Sequence, residues 1–244
     1  VKNRPIDNPL IVHISKLEML EMVVKPEYLK AIPARVEAVM KRFWPGPLTL
    51  LLPAHPDLPS CVTAELPTVG VRFPAHPVAQ ALIEQAGFPL AAPSANLSGR
   101  PSPTTSQHVF DDLKGRIEWI VDGGSAGVGL ESTVVDLLQE PPVILRPGGI
   151  TQAMLCEVVP EITVYRQKKM RRGEEEAGVA DIDEERPSTP GMKYKHYAPN
   201  APVWLFSLKD PSGDVVADSQ RLEPLISDYL KENAAGKKVV KLEN

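Results

Sequence analysis

Two cations, Lys2 and Arg4, stand in the opening run "VKNRPIDNPLIVH", just ahead of a strand-like apolar stretch. On a Pro-fixed loop such a pair offsets polyphosphate charge, and the arginine fork grips an oxyanion with two parallel hydrogen bonds. Two further arginines interrupt apolar strands: Arg72 in "VGVRFP" and Arg146 in "VILRPGG", each beside a Gly or Pro turn. An arginine in such a place must be paired or solvated, because burying its charge alone is costly. Each reads singly as half of a structural ion pair. Two of them at strand ends shift the balance towards anion binding. His13 closes a strand, and by itself suits a satisfied core or edge position better than catalysis.

Loops of small residues accompany these cations. "APSANLSGRPSPT", from Ala92 to Thr104, follows an apolar strand directly, with Gly99 and three prolines setting its path. A loop of this kind at a strand end offers backbone N–H groups and hydroxyls to a phosphate or carboxylate. It also suits a turn-rich connector, since Ser and Asn are ordinary turn residues. "DGGSAGVGLESTVVD", Asp122 to Asp136, brings four glycines between two strands, a pattern for close approach of backbone to ligand. It matches neither the P-loop nor the dinucleotide fingerprint. "STPGMKYKHYAP", Ser188 to Pro199, is unexpectedly aromatic: Tyr194, His196 and Tyr197 either stack on a base or anchor the segment to a surface.

The elements that position these groups interleave. Leu10–Ile14 reads as a strand, and "PARVEAVMKRFW" puts Val36, Val39, Met40 and Phe43 at helical spacing before "PGP" stops the helix at Trp44. "LTLLLPA" and "VGVRF" read as strands. "HPVAQALIEQAG" reads as a helix from Pro77 to a Gly87 cap. "FPLAAPS", "IEWIVDGG", "STVVDLL" and "PVILRPGG" are four more strand candidates; Thr151 opens a short helix and Ile162–Tyr165 is a last strand. The class is α/β with a mixed sheet. Residues 166–201 are polar and charge-blocked and read as a linker. At 202–244, "VWLF", a helix opened by Pro224 and running to Leu230, and "KKVVKLEN" read as the start of a second, small Rossmann-like α/β domain.

Composition narrows the function classes. The 26 prolines among 244 residues, roughly twice the usual ~5% share, lie between apolar runs and predict fixed loops. A net charge of -4 with 5% aromatics excludes a polyanion spread over a broad surface, so any nucleic-acid contact must be local. No apolar run approaches the ~18 residues that span a bilayer. Cys61 and Cys156 match no metal-ligand spacing and read as thiols of a reduced intracellular protein, although two thiols can pair.

Taken in order, "KNRPIDNPLIVH", "PTVGVRFP", "APSANLSGRPSPT", "GLESTVVD", "ILRPGG" and "PGMKYKHYAP" resemble the threonylcarbamoyl-AMP synthase family, built on the YrdC-type domain. The resemblance covers Lys2 to Tyr165, and "PGMKYKHYAP" resembles the hinge of the family's two-domain members. It implies a YrdC-type twisted mixed sheet with flanking helices over residues 1–165, and within the linker a segment, 188–199, that docks on the active site. It implies an enzyme, an L-threonylcarbamoyladenylate synthase and thus a nucleotidyltransferase. Such an enzyme forms threonylcarbamoyl-AMP and pyrophosphate from L-threonine, bicarbonate and ATP. Mg2+ would accompany ATP, with no protein metal cage. The product would pass to a tRNA threonylcarbamoyl transferase in the cytoplasm, or in an organelle.

By the same resemblance Lys2 and Arg4 are the catalytic cations. Arg4, Asn8, Thr68, Ser94, Ser102, Arg146 and Tyr197 would contact ATP, with Tyr197 closing over the nucleotide. His13, Arg72, Ala92 and Ser132 would form the threonine pocket. The family's usual Gly between the two cations is Asn3 here, and Asn tolerates left-handed backbone. In the family, a strand and helix with a Thr-x-Thr-x-Tyr-Gly loop precede this region, so the chain is expected to be a piece of a longer protein with an exposed sheet edge. The rival reading is an RNA-binding module of the same fold, with "KKMRR" at 168–172 making a weak tRNA contact. A carbamoyl-adenylate domain of hydrogenase maturation fits less well, for want of flanking Cys pairs.

Overall fold

The computed structural model describes residues 1–165, Leu208 and 215–233. The chain divides into two compact units, Val1–Ala198 and Pro199–Asn244. In the first, β1 (Ile11–His13) leads through a 3-10 turn (Leu17–Met22) to α1 (Pro26–Leu29), α2 (Ala34–Phe43), β2 (Leu48–Pro53) and α3 (Ser60–Thr63). There follow β3 (Thr68–Arg72), α4 (Pro77–Ala86), β4 (Leu90–Ala92) and α5 (Ser106–Leu113). The unit's last described elements are β5 (Thr133–Asp136), β6 (Val143–Arg146), α6 (Gln152–Cys156) and β7 (Thr163–Val164). One seven-stranded sheet forms in the order β4-β1-β3-β2-β5-β6-β7. β1 runs parallel to β3, β2 to β5 and β6 to β7, while the other neighbours are antiparallel. The expected α/β class with a mixed sheet is what the chain adopts.

The two faces of that sheet differ because side chains alternate along a strand. Leu48, Leu50 and Leu52 of β2, Val69 and Val71 of β3 and Val12 of β1 point into the main core. There they meet Val36, Val39, Met40 and Phe43 of α2, which recur at helical spacing, and Leu155 of α6. Trp44 ends α2 and donates its indole N–H to the Leu48 carbonyl at 2.9 Å, so the buried ring has a partner. On the opposite face Thr49 and Leu51 alternate with the core leucines, and only a small apolar group of Leu51, Val134, Val143 and Leu145 forms. Beside that group this face carries polar side chains, and it holds the site.

Two expectations are corrected. "IEWIVDGG" is not a strand: Trp119 is 85% and Val121 67% exposed. Its β-branched and aromatic content favours a strand, but among the described residues no neighbouring strand pairs with it, and an unpaired strand leaves its ladder unmade. The last helix does not start at Pro224: α7 spans Val215–Asn233 with Pro224 inside it. The ring keeps a helical φ and forfeits one backbone bond, while the preceding turns hold, with Arg221 on Asp218 at 3.1 Å. The linker, the strands expected at "VWLF" and "KKVVKL", and the 188–199 segment lie outside the described residues. None of the helices in the described residues is long and apolar enough to cross a membrane. Cys61 and Cys156 are both free thiols.

Candidate active site

A cavity of about 280 Å³ opens on the polar face of the sheet. Arg4, His13, Arg72 and Arg146 line it, together with Ala92, Ser94, Ser102 and Ser132. These residues come from five segments, and the strand register explains how they meet. His13 and Arg72 are direct partners across the parallel β1–β3 pair, and Arg72 faces Thr49 across β2. Ile11 of β1 pairs with Ala92 of β4, whose methyl group leaves room above the sheet. Gly70, two residues before Arg72, keeps the floor low: a Cβ there would stand 3.3 Å from the Thr49 methyl.

Arg146 reaches this face through an irregularity. Val134 pairs with Arg146 and Val135 with Ile144, so Leu145 is an extra residue in β6. Strict alternation would turn Arg146 into the core beside Ile144; the bulge returns it to the open side. There its Nη2 donates to the Ser132 carbonyl at 2.8 Å and to Ser132 Oγ at 3.0 Å. Ser132 Oγ also shares a hydrogen bond with Thr49 Oγ1 at 2.7 Å. The guanidinium is thereby locked in orientation.

The opening loop is stitched to the small-residue loop. Lys2 Nζ donates to the Ser94 carbonyl and lies 3.5 Å from Ser94 Oγ, and Ser98 N–H donates to the Lys2 carbonyl at 3.0 Å. Asn3 between the cations has φ +58°, the left-handed conformation that asparagine tolerates best after glycine. Arg4 is aimed by its own loop: Nη2 donates to Asn8 Oδ1 at 2.9 Å and to the Pro9 carbonyl, and Nε to the Asn8 carbonyl at 3.2 Å. Asn8 is buried and outside the cavity wall, so its observed contact is with Arg4. Thr68 also stands outside the lining. It shares a face of β3 with Arg72 but lies four residues, about 13 Å, along the strand. Tyr197 lies outside the described residues.

Four residues at the site were not singled out from sequence. Asn96 and Arg100, within the quoted small-residue loop, line the cavity. Asn96 Nδ2 closes the turn onto the Leu97 and Arg100 carbonyls at 3.0 and 2.8 Å. Asp112 of α5 accepts from Leu97 N–H at 3.0 Å and from Arg100 Nη1 at 2.5 Å, tying the loop to a helix. Glu131 lines the cavity and accepts from Ser102 Oγ at 2.5 Å. Asn96, Arg100 and Glu131 had a signal, since they sit inside segments already marked. Asp112 had none, for it reads as a surface acid on a short helix.

The electrostatics follow from crowding cations. Burial pushes the Arg4 and Arg72 guanidinium groups below their ordinary value, and neighbouring Arg146 adds to the effect at Arg72. Burial, then Arg72, lower His13 to about 4, against two backbone hydrogen bonds that raise it. The ring is therefore neutral at pH 7. Its Nδ1 lies 3.3 Å from the Leu90 carbonyl, which can only accept, so Nδ1 carries the hydrogen and Nε2 is left as an acceptor. Burial would raise Asp112, but the bonds from Arg100 and Leu97 prevail and hold it below the usual carboxylate range.

Lys2 is lowered to about 8, chiefly by burial and then by Arg4, with Asp112 opposing. It is charged below that pH and neutral above it. A polyanion bound beside it favours the charged form, so binding near pH 8–8.5 must take up a proton. Calorimetry of polyphosphate binding in buffers of different ionisation heat should show this uptake, and affinity falling as pH rises through 8. Lys2→Arg should remove both effects, since arginine keeps its charge there. Uptake unchanged in Lys2→Arg would assign the proton to another group.

Taken together, the arrangement can hold an extended anion along Lys2, Arg4 and the Ser94–Ser102 loop, and a carboxylate at Arg72, with the His13 Nε2 acceptor beside it. Residues 1–148 match the family described as "Telomere recombination" (Sua5_yciO_yrdC), and residues 150–242 match "Threonylcarbamoyl-AMP synthase, C-terminal domain". A Bacillus subtilis protein named threonylcarbamoyl-AMP synthase is 47% identical over 93% of this chain and 59% of its own length. A Pyrococcus abyssi protein of the same name is 44% identical over 98% of this chain and 63% of its own length. Among solved structures, P. abyssi Sua5 complexed with L-threonine is similar with a TM-score of 0.74 at 42% identity, over 95% of this chain and 62% of that one. E. coli YciO is similar with a TM-score of 0.50 at 27% identity, over 61% of this chain and 70% of that one. The chain thus spans about three-fifths of the length of the two curated relatives. By these matches, and by the mixed sheet on which the cavity is built, the chain belongs to the Sua5/YciO/YrdC family.

Proposed function

We propose that this chain carries the catalytic site of an L-threonylcarbamoyladenylate synthase, which joins L-threonine, bicarbonate and ATP into threonylcarbamoyl-AMP with release of pyrophosphate. The observation that carries the reading is the convergence of Arg4, Arg72 and Arg146, with neutral His13 among them, on one cavity. Of the lining cations, Arg4 shares the opening loop with Lys2, which stands outside the lining, while Arg72 lies beside neutral His13 on the sheet. That division suits a substrate pair of one polyphosphate and one amino acid. Family membership, and the relative's structure with L-threonine, support the assignment of the amino acid.

In this reading Arg72 grips the threonine carboxylate, and Ser132 and the His13 Nε2 acceptor meet its remaining polar groups. Bicarbonate takes up a proton and loses water to give CO2; the free amine attacks this carbon, forming a C–N bond, and releases a proton to leave a carbamate. A carbamate oxygen then attacks the α-phosphorus of ATP; a new P–O bond forms as the bond to the β-phosphate bridge breaks, and pyrophosphate leaves. Lys2, Arg4 and Arg146 offset the charge on the phosphates, so catalysis rests on positioning and electrostatics. Mg2+ accompanying ATP would neutralise further phosphate charge. The product would serve tRNA threonylcarbamoylation in a cytoplasmic setting.

The RNA-binding alternative gains nothing from the site, because Arg4, Arg72 and Arg146 turn inward on one small cavity. The test is pyrophosphate release with ATP and bicarbonate, with and without threonine. Threonine-dependent release supports the synthase. Failure to release it, combined with salt-dependent tRNA binding that ignores threonine, would replace the synthase by the binding module.

A further inference from the structure

We propose that Glu131 is the protein's ligand for the divalent cation that enters with the nucleotide, and that Ser102 presents it; this rests on the reading of the site as an ATP site. Among the described residues, Glu131 is the one carboxylate lining a cavity that carries four arginines, Arg4, Arg72, Arg100 and Arg146. Opposite charges so close would be expected to pair, yet each arginine is engaged elsewhere. Arg100 is on Asp112, Arg4 on Asn8 and Pro9, Arg72 Nε on the Gly46 carbonyl at 3.3 Å, and Arg146 on Ser132. Among the described residues Glu131 makes no ion pair, and its side chain accepts one hydrogen bond, from Ser102 Oγ. A carboxylate has room for about four such contacts, so most of its capacity faces the cavity.

The position of Glu131 is fixed on both sides. Its carbonyl accepts from Gly149 N–H at 3.3 Å, and Ser132 next to it is clamped by Thr49 and Arg146. A fixed negative charge in a phosphate site is unfavourable unless a dication lies between it and the phosphates. Mg2+ suits this place: it takes hard oxygens, commonly one or two carboxylates, with phosphates and water completing the octahedron. Among the described residues no group of three or more His, Cys, Asp or Glu could hold a metal.

The test is calorimetric binding of ATP to the whole chain, once with Mg2+ and once with a chelator. The wild-type protein should prefer the Mg2+ complex by about tenfold or more. Glu131→Gln keeps the size and the bond from Ser102; it should lose that preference and bind metal-free ATP at least as well as the wild type does. With Mn2+ in place of Mg2+, the electron-spin-resonance signal of the bound Mn·ATP complex should change between wild type and Glu131→Gln. If Glu131→Gln fails to fold, Glu131→Asp should show an intermediate preference. ATP binding that ignores the metal in the wild type, or an undiminished preference in Glu131→Gln, overturns this inference while leaving the ATP site standing. Absence of ATP binding under every condition overturns the ATP site and the inference together.

Discussion

Replacing Arg72 by alanine should weaken binding of the amino-acid substrate by about 30- to 100-fold, the equivalent of losing ~2–3 kcal/mol of charged hydrogen bonds. The fold should survive, because Arg72 lies on the polar face of β3 while Val69 and Val71 hold that strand in the core. What the side chain gives up within the protein is one bond to the Gly46 carbonyl, which solvent entering the open cavity can replace. Arg72→Lys should recover only part of the affinity, since an ammonium lacks the planar fork. A second readout is independent of substrate. Burial and then Arg72 hold His13 near pH 4, so Arg72→Ala should raise the His13 titration without restoring its ordinary value. NMR titration of the His13 ring would follow this. Unchanged affinity with an unmoved His13 would place the carboxylate elsewhere.

Gly148→Ala should be strongly destabilising. Gly148 opens the turn after β6, where the chain lies against the residues leading into β5. A Cβ there would fall on the Glu131 carbonyl oxygen, 2.5 Å from Thr133 N and 2.7 Å from the Ser132 carbonyl carbon. All three are backbone atoms, so no flexible side chain can move aside. Overpacking of this kind costs about 3 kcal/mol, which for a unit of this size lowers Tm by roughly 6–12 °C. The damage also reaches the site, because the same segment carries Glu131 and Ser132. Gly127 supplies the control: a Cβ there meets nothing within 4 Å, and Gly127→Ala should leave Tm unchanged. Equal melting of the two variants would mean that the turn can shift away from β5.

Much of this was legible in the chain itself, because the signals are local. Helical spacing of Val36, Val39, Met40 and Phe43 needs no tertiary information, nor does the buried run of β2. Asn3, standing where the resembled family usually has Gly, was compatible with a left-handed residue, and the small-residue loop marked itself by composition. The kind of chemistry, cations aimed at oxyanions, was likewise readable from residue type. Partnership was not. The sequence places Asn8 beside Arg4, but only folding turns Asn8 inward to hold the guanidinium. Asp112 becomes part of the site because α5 packs behind the loop, and Glu131 stands out only once every neighbouring arginine is seen to be engaged. "IEWIVDGG" has the composition of a strand and lacks a partner strand among the described residues. Arg146 is the sharpest case. Counting by twos along "VILR" sends it into the core, and one extra residue, Leu145, turns it into the cavity. Registers, bulges and charge pairing depend on contacts between residues far apart in the chain, and those contacts are settled by which faces can be buried together.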